Sequence, residues 1–255
     1  GIGQRLDERL APLDINHTVF QYLLGESTSS LCARMDSKKP SWQMQLENIY
    51  NAAKEDQLPS SAYLQEDHPS PTSHDFLKLT EPLVRHYCHQ LITDLQATSL
   101  EHNSIIQYCQ LAIPSLNLQF FRMINRTLLL ELQIEKLQET LEGETTEARY
   151  EYFAQSLATP SRALTLFSEY PVLGKQLLNR ARQWHATHLE FFHRLLQDSH
   201  TLSEQFNKGA KLGELTQLEA NQGDRHCDGR SVFICHFSSG LKLVYCLLYT
   251  SPSPR

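Results

Sequence analysis

"GDRHCDGRSVFICHFSSGLKLVY", residues 223–245, is the stretch in which the hydrophobic period of the chain changes. Upstream of it, apolar residues return every third or fourth position, the spacing of helices with one buried face. Within it the period is two. "RSVFICHF" (230–237) sets Val232 and Ile234 against Phe233, Cys235 and Phe237, which predicts a strand buried on both faces. "SSG" (238–240) has the length of a three-residue hairpin loop, with Gly240 suited to a left-handed backbone. "LKLVY" (241–245) alternates again, and "ELTQLEA" (214–220) is a further candidate strand. The fold class that follows is mainly α with a small antiparallel β-sheet at the C-terminal end (α+β).

Working back from that sheet, "RLDERLAPLDINHTVFQYLLGE" (5–26) has apolar residues at turn spacing and reaches Gly25 as a helix stop. "SWQMQLENIYNAAKED" (41–56) is a short amphipathic piece, and "LPSSAYLQEDHPSPTS" (58–73) has the Pro and Ser content of a linker. Leu79, Leu83, Tyr87, Leu91 and Leu95 recur every fourth residue, with Pro82 near the helix start. Pro114 is expected to open a long helix through Leu141, with Leu130, Ile134, Leu137 and Leu141 as its core stripe and Gly143 as its stop. Thr159 and Pro160 have the residue types of an N-cap and first helical position. Pro171 is expected to start a helix reaching about Phe206. The domains expected are an N-terminal helical segment (1–57), a linker (58–73), a helical block (74–210), a sheet carrying a phosphate loop (211–245) and a tail (246–255).

Composition bounds the partners. The formal net charge is -6, so there is no excess of Lys and Arg for nucleic acid or a membrane surface. No run approaches the ~20 apolar residues that span a bilayer, and "GIGQRLDERLAPL" (1–13) has no signal-peptide core. A cytoplasmic location is therefore expected, with the six cysteines as free thiols, because no C-x-x-C pair occurs among them.

Three clusters carry candidate chemistry. Gly223 and Gly229 bracket a polar turn containing Asp224, His226 and Asp228, and backbone amides of such a turn can converge on a phosphate where no Cβ blocks the approach. The same residues also fit an ordinary hairpin with a polar turn. "HATHLEFFH" (185–193) offers His185, His188, Glu190 and His193, but His193 lies ~80° around the helix from His185, so a solvated or partner-facing edge is expected rather than a metal site. "RHYCH" (85–89) reads as helix surface with Tyr87 and Cys88 turned inward. No metal-ligating residues are assigned.

Residues 223–245 also resemble the "GD-S-H-x-x-G-R-x-V…F-x-x-G-x-x-L-V-Y-K-P" segment in the dehydratase domain of class II (LanM-type) lanthipeptide synthetases. "HDFLKLTEPLVRHYCHQL" (74–91), "NRTLLLELQIEKLQETLEGETTEARYEYFAQSL" (125–157) and "EYPVLGKQLLNRARQW" (169–184) resemble helices upstream of that motif, in the same order. The resemblance implies the front portion of a bifunctional enzyme with a lipid-kinase-like dehydratase domain. Such an enzyme uses ATP and Mg²⁺ to phosphorylate Ser and Thr of a precursor peptide and then eliminates phosphate. A zinc-dependent cyclase domain, absent from this sequence, adds Cys thiols to the products. The resemblance assigns Asp224 and His226 as catalytic residues, and Gly223, Asp224, His226 and Gly229 to the ATP phosphates.

Three departures stand out: Arg225 replaces a common Ser, Cys227 follows His226, and Cys246 occupies the place of the family's lysine. "CLLYTSPSPR" (246–255) has no continuity with the hairpin and resembles the conceptual translation of a sequencing adapter, so it is expected to be a non-native tail. The fragment itself is expected to be inactive. The alternative reading is a non-catalytic helical module that binds a leader peptide or partner, with a vestigial phosphate loop.

Overall fold

The computed structural model describes residues 6, 9–13, 15–34, 39–52, 75–98, 100–226 and 228–246. The chain divides into two compact units, Gly1–Pro40 and Ser41–Arg255. In the first, a 3-10 turn (Ala11–Leu13) precedes α1 (His17–Gly25) and α2 (Thr28–Arg34). Asn16 caps α1 by accepting the amide of Val19 at 2.9 Å, which satisfies one of the free N–H groups at the helix start. Gly25 is the last helical residue and Glu26 the cap, so the glycine stop lies one position earlier than a left-handed cap would put it.

The second unit holds α3 (Ser41–Ala52), α4 (Glu81–Leu95), α5 (His102–Leu137), α6 (Thr146–Ser156), α7 (Pro160–Glu169), α8 (Pro171–Gln197), α9 (Ser199–Phe206) and a sheet of β1 (Leu215–His226), β2 (Arg230–Phe237) and β3 (Lys242–Tyr245). The fold class is as expected: mainly α, with a three-stranded antiparallel sheet near the C-terminal end in the order β1-β2-β3. The 58–73 linker lies outside the described residues, as do 247–255 of the tail.

The core is built around α8. Its buried residues Leu177, Leu178, Ala181, Trp184, Phe191 and Phe192 face α3, α4, α5 and α7 in turn. Gly174 lets α7 and α3 come close, since a Cβ there would lie 3.1 Å from that of Phe167 and 3.2 Å from Leu46. The α4 stripe behaves as its spacing says, with Leu79, Leu83, Tyr87, Leu91 and Leu95 all buried.

Helix α5 corrects the expected boundaries. It begins at His102 and carries Pro114 inside it, and its buried face is Ile105, Cys109, Leu116, Phe120, Ile124 and Leu128. An internal proline removes one backbone hydrogen bond and costs ~3 kcal/mol, which the continuous burial on both sides of it offsets. Of the expected core stripe, Leu130 and Leu137 are exposed, whereas Ile134 and Leu141 are half-buried and Leu141 packs against the core. The helix stops at Leu137 because Glu139 takes a positive φ of 56°, ahead of Gly143. The helix from Pro171 likewise breaks at Asp198, and α9 resumes as a separate segment.

Candidate functional site: the bulged hairpin and the uncovered sheet face

Strand β2 has one buried face and one half-buried face. Ser231, Phe233, Cys235 and Phe237 point into the protein, where Phe191 meets both Phe233 and Tyr245 at ring centroid distances of 5.0 and 5.1 Å. The opposite face carries Val232, Ile234 and His236, half-buried, with Lys242 and Val244 of β3 beside them. The expectation of two buried faces is therefore corrected: α8 covers one side, and Val232 and Ile234 are outside the buried core. Ile234 stands directly beside Val244 and, on its other side, Glu219. At the next row His236 Nε2 lies 2.8 Å from Glu219 Oε1, closing that end of the apolar row with a polar contact. Cys246 follows β3 immediately and is exposed. The pleat puts it on the side of Lys242 and Val244.

The residues singled out as a turn are arranged differently from expectation. β1 runs on to His226, which pairs with Arg230. Gly223, Asp224 and Arg225 form a bulge opposite Ser231 alone, between the Gln222–Val232 and His226–Arg230 pairs. The turn is confined to 227–229, because Asp228 and Gly229 supply the two positive φ values, 62° and 94°, that a tight hairpin needs. Gly223 thus belongs to the strand and Gly229 to the turn. A bulge of this kind leaves extra backbone N–H groups out of the ladder. The side chains of Gly223–Cys227, with Asp224 and His226 among them, are outside the described residues.

Two contacts tie this hairpin to α8, and neither is legible in the sequence. A Cβ on Gly229 would sit 3.0 Å from Gln183 Cβ, so the turn backbone lies directly on the helix. Arg230 Nε donates to Glu190 Oε2 at 2.9 Å, and Arg194 donates to Glu190 Oε1 at 2.7 Å.

The histidines of this helix edge point to different partners. His185 Nε2 meets Asp94 Oδ2 at 2.9 Å, whereas His188 is buried among Trp184, Phe192 and Phe233. Burial pushes the His188 imidazole down to about 4, which keeps it neutral. Among the described residues no group of three His, Cys, Asp or Glu side chains is placed to hold a metal ion. Tyr87 and Cys88 are buried and His86 and His89 exposed, as "RHYCH" predicts. Among the described residues no helix is long and apolar enough to cross a membrane.

A groove of about 470 Å³ lies on the other, helix-covered side of the sheet, between α8, α9 and β3. Phe191, Leu195, Leu202, Phe206, Leu243 and Tyr245 line it, with Lys242 and Val244 of the edge strand at its rim, and it does not reach the hairpin tip.

A family described as a domain of unknown function (DUF4135) matches residues 170–246. The matched segment holds α8, α9 and all three strands, that is, the hairpin together with the helix on which it rests. No curated protein matches the chain.

Proposed function

We propose that the DUF4135 segment is the opening part of a nucleotide-binding sheet in a dehydratase of the lanthipeptide-synthetase type. The observation that carries this reading is the sheet face opposite Phe233 and Cys235, where half-buried Val232 and Ile234 and exposed Val244 make an apolar row that leads from the bulge at Gly223–Arg225. A flat apolar row suits a purine ring, and bulge and turn amides suit its phosphates. The association of DUF4135 with lanthipeptide synthetase-like proteins supports it too. ATP held there would supply, in such an enzyme, the phosphoryl group that makes a Ser or Thr hydroxyl of a precursor peptide a leaving group, with ADP released.

The residues present fit this ligand in part. Val232, Ile234 and Val244 take the base, while Gly223, Asp224, His226 and Gly229 lie where the phosphates follow. Cys246 carries no positive charge, so nothing at that position pairs with a phosphate as an ammonium does. The described residues also offer no carboxylate cluster for Mg²⁺. On this reading the chain's contribution is to hold the nucleotide.

Titration with MgATP tests the reading. Weak binding by the chain, loss of at least tenfold in Val232→Asp and a gain in Cys246→Lys are expected. Failure of both the chain and Cys246→Lys to bind overturns it. A second reading, a helical module that binds a leader peptide or partner, is favoured by Leu129, Leu130 and Leu137 standing exposed along one end of α5. Peptide binding indifferent to Val232→Asp and to ATP would support that reading.

A further inference from the structure

We infer that Gln183 and Glu190 of α8 are positioning residues for the hairpin tip, so that this helix sets how the loop meets an anionic ligand. The inference rests on the nucleotide reading for the identity of that ligand. Its geometry comes from the sheet itself. Between Gln222 and His226 the β1 ladder is irregular, and three of its residues face Ser231 alone. A ladder interrupted in this way bends and twists, and leaves the aim of the tip underdetermined by strand pairing.

Helix α8 supplies what the ladder does not. Gln183 and Glu190 are two turns apart, about 10 Å along one helix. Gly229 rests on the first: its φ of 94° disfavours any side chain, and a Cβ built there would lie 3.0 Å from Gln183 Cβ. Arg230 is held by the second through the 2.9 Å bond from its Nε. Glu190 is itself held by Arg194 from the next turn, at 2.7 Å, and its side chain is only 24% exposed. A carboxylate bridging two guanidiniums is more rigid than a surface pair, because both of its oxygens are engaged.

Glu190 also decides what Arg230 is available for. While the pair is made, this guanidinium anchors the tip; with Glu190 neutralised, more of its charge faces the loop. The two roles predict opposite effects on anion binding, which makes the assignment decidable.

The test compares the full chain with Glu190→Gln, Glu190→Asp, Arg230→Gln and the double variant Glu190→Gln/Arg230→Gln. Hydrogen exchange of amides 228–231 and MgATP affinity are measured on each. In Glu190→Gln, tip exchange is expected to rise and MgATP affinity to fall by about tenfold, the size of one lost charged hydrogen bond. Helix-core exchange should stay unchanged, Glu190→Asp should recover part of the loss, and the double variant should be no worse than Glu190→Gln alone. Unchanged tip exchange overturns the inference. So does tighter MgATP binding in Glu190→Gln, which would make Glu190 a brake on Arg230. Tip loosening in a chain whose parent binds no MgATP sinks the nucleotide reading alone and leaves the α8 anchoring in place.

Discussion

His188 turns its Nδ1 onto the carbonyl oxygen of Trp184, 2.8 Å away, and leaves Nε2 buried without a hydrogen-bond partner. The tautomer follows: Nδ1 carries the proton, and Nε2 keeps a bare lone pair among aromatic rings. Protonating Nε2 would place a charge in the core beside Phe233.

That arrangement makes stability depend on pH. The folded imidazole titrates at about 4, below its ordinary value of 6.5, with burial the main cause. Between those two values the unfolded chain takes up a proton that the folded chain refuses. Stability therefore falls as pH drops through this window, by up to roughly 3 kcal/mol. Urea unfolding at pH 7, 5.5 and 4.5 should show the decline, and His188→Leu should remove that share of it.

Tyr50 and Leu79 test the seat of α3. The Tyr50 hydroxyl donates to the Leu79 carbonyl at 2.7 Å, and both residues are buried. Tyr50→Phe leaves that carbonyl short of a partner and should cost about 1–2 kcal/mol, read as a lower midpoint in thermal unfolding.

The two hairpin glycines should respond unequally. Gly240 has a φ of 84° with nothing within 4 Å of a built Cβ, so Gly240→Ala should cost only the left-handed penalty of ~1 kcal/mol. Gly229→Ala adds the contact with Gln183 and should cost about 2–3 kcal/mol. Denaturant midpoints of the two variants, compared side by side, check the order.

Thiol reactivity should divide by depth. Cys88, Cys109 and Cys235 are buried. Contact with Cys88 and burial push the Cys109 thiol up, and burial pushes Cys235 up to about 12. Since the thiolate is the nucleophile, peptide mapping after brief iodoacetamide treatment of native protein should find those three unmodified and Cys246 alkylated. All three should react once urea is added.

How far the sequence could be read depended on whether the deciding contacts were local. The α4 stripe from Leu79 to Leu95, the Thr159–Pro160 start of α7 and the left-handed Gly240 are all local signals, and the structure has them in place. Helix α5 defeated the same logic because it bears two apolar stripes, Leu116–Phe120–Ile124–Leu128 and Leu130–Leu137, and only tertiary packing chooses between them. The β2 faces failed for a related reason: alternation shows two sides, but not whether a second layer covers Val232 and Ile234. The candidate loop was found by its glycines and acids, yet its bulge at Gly223–Arg225 depends on strand pairing. Gln183 carries no local mark at all, and Glu190 stood out only as a neighbour of histidines, not as the partner of Arg230 forty positions on.

The central place of α8 has a consequence for the order in which this chain acquires structure. Strands β2 and β3 pack Phe233 and Tyr245 against the Phe191 ring that α8 supplies, and a two-stranded hairpin without such a layer is marginal in water. During synthesis the helix leaves the ribosome before the strands do, so the surface on which the sheet condenses is already made. The hairpin then has an apolar face to pack against as its own residues emerge.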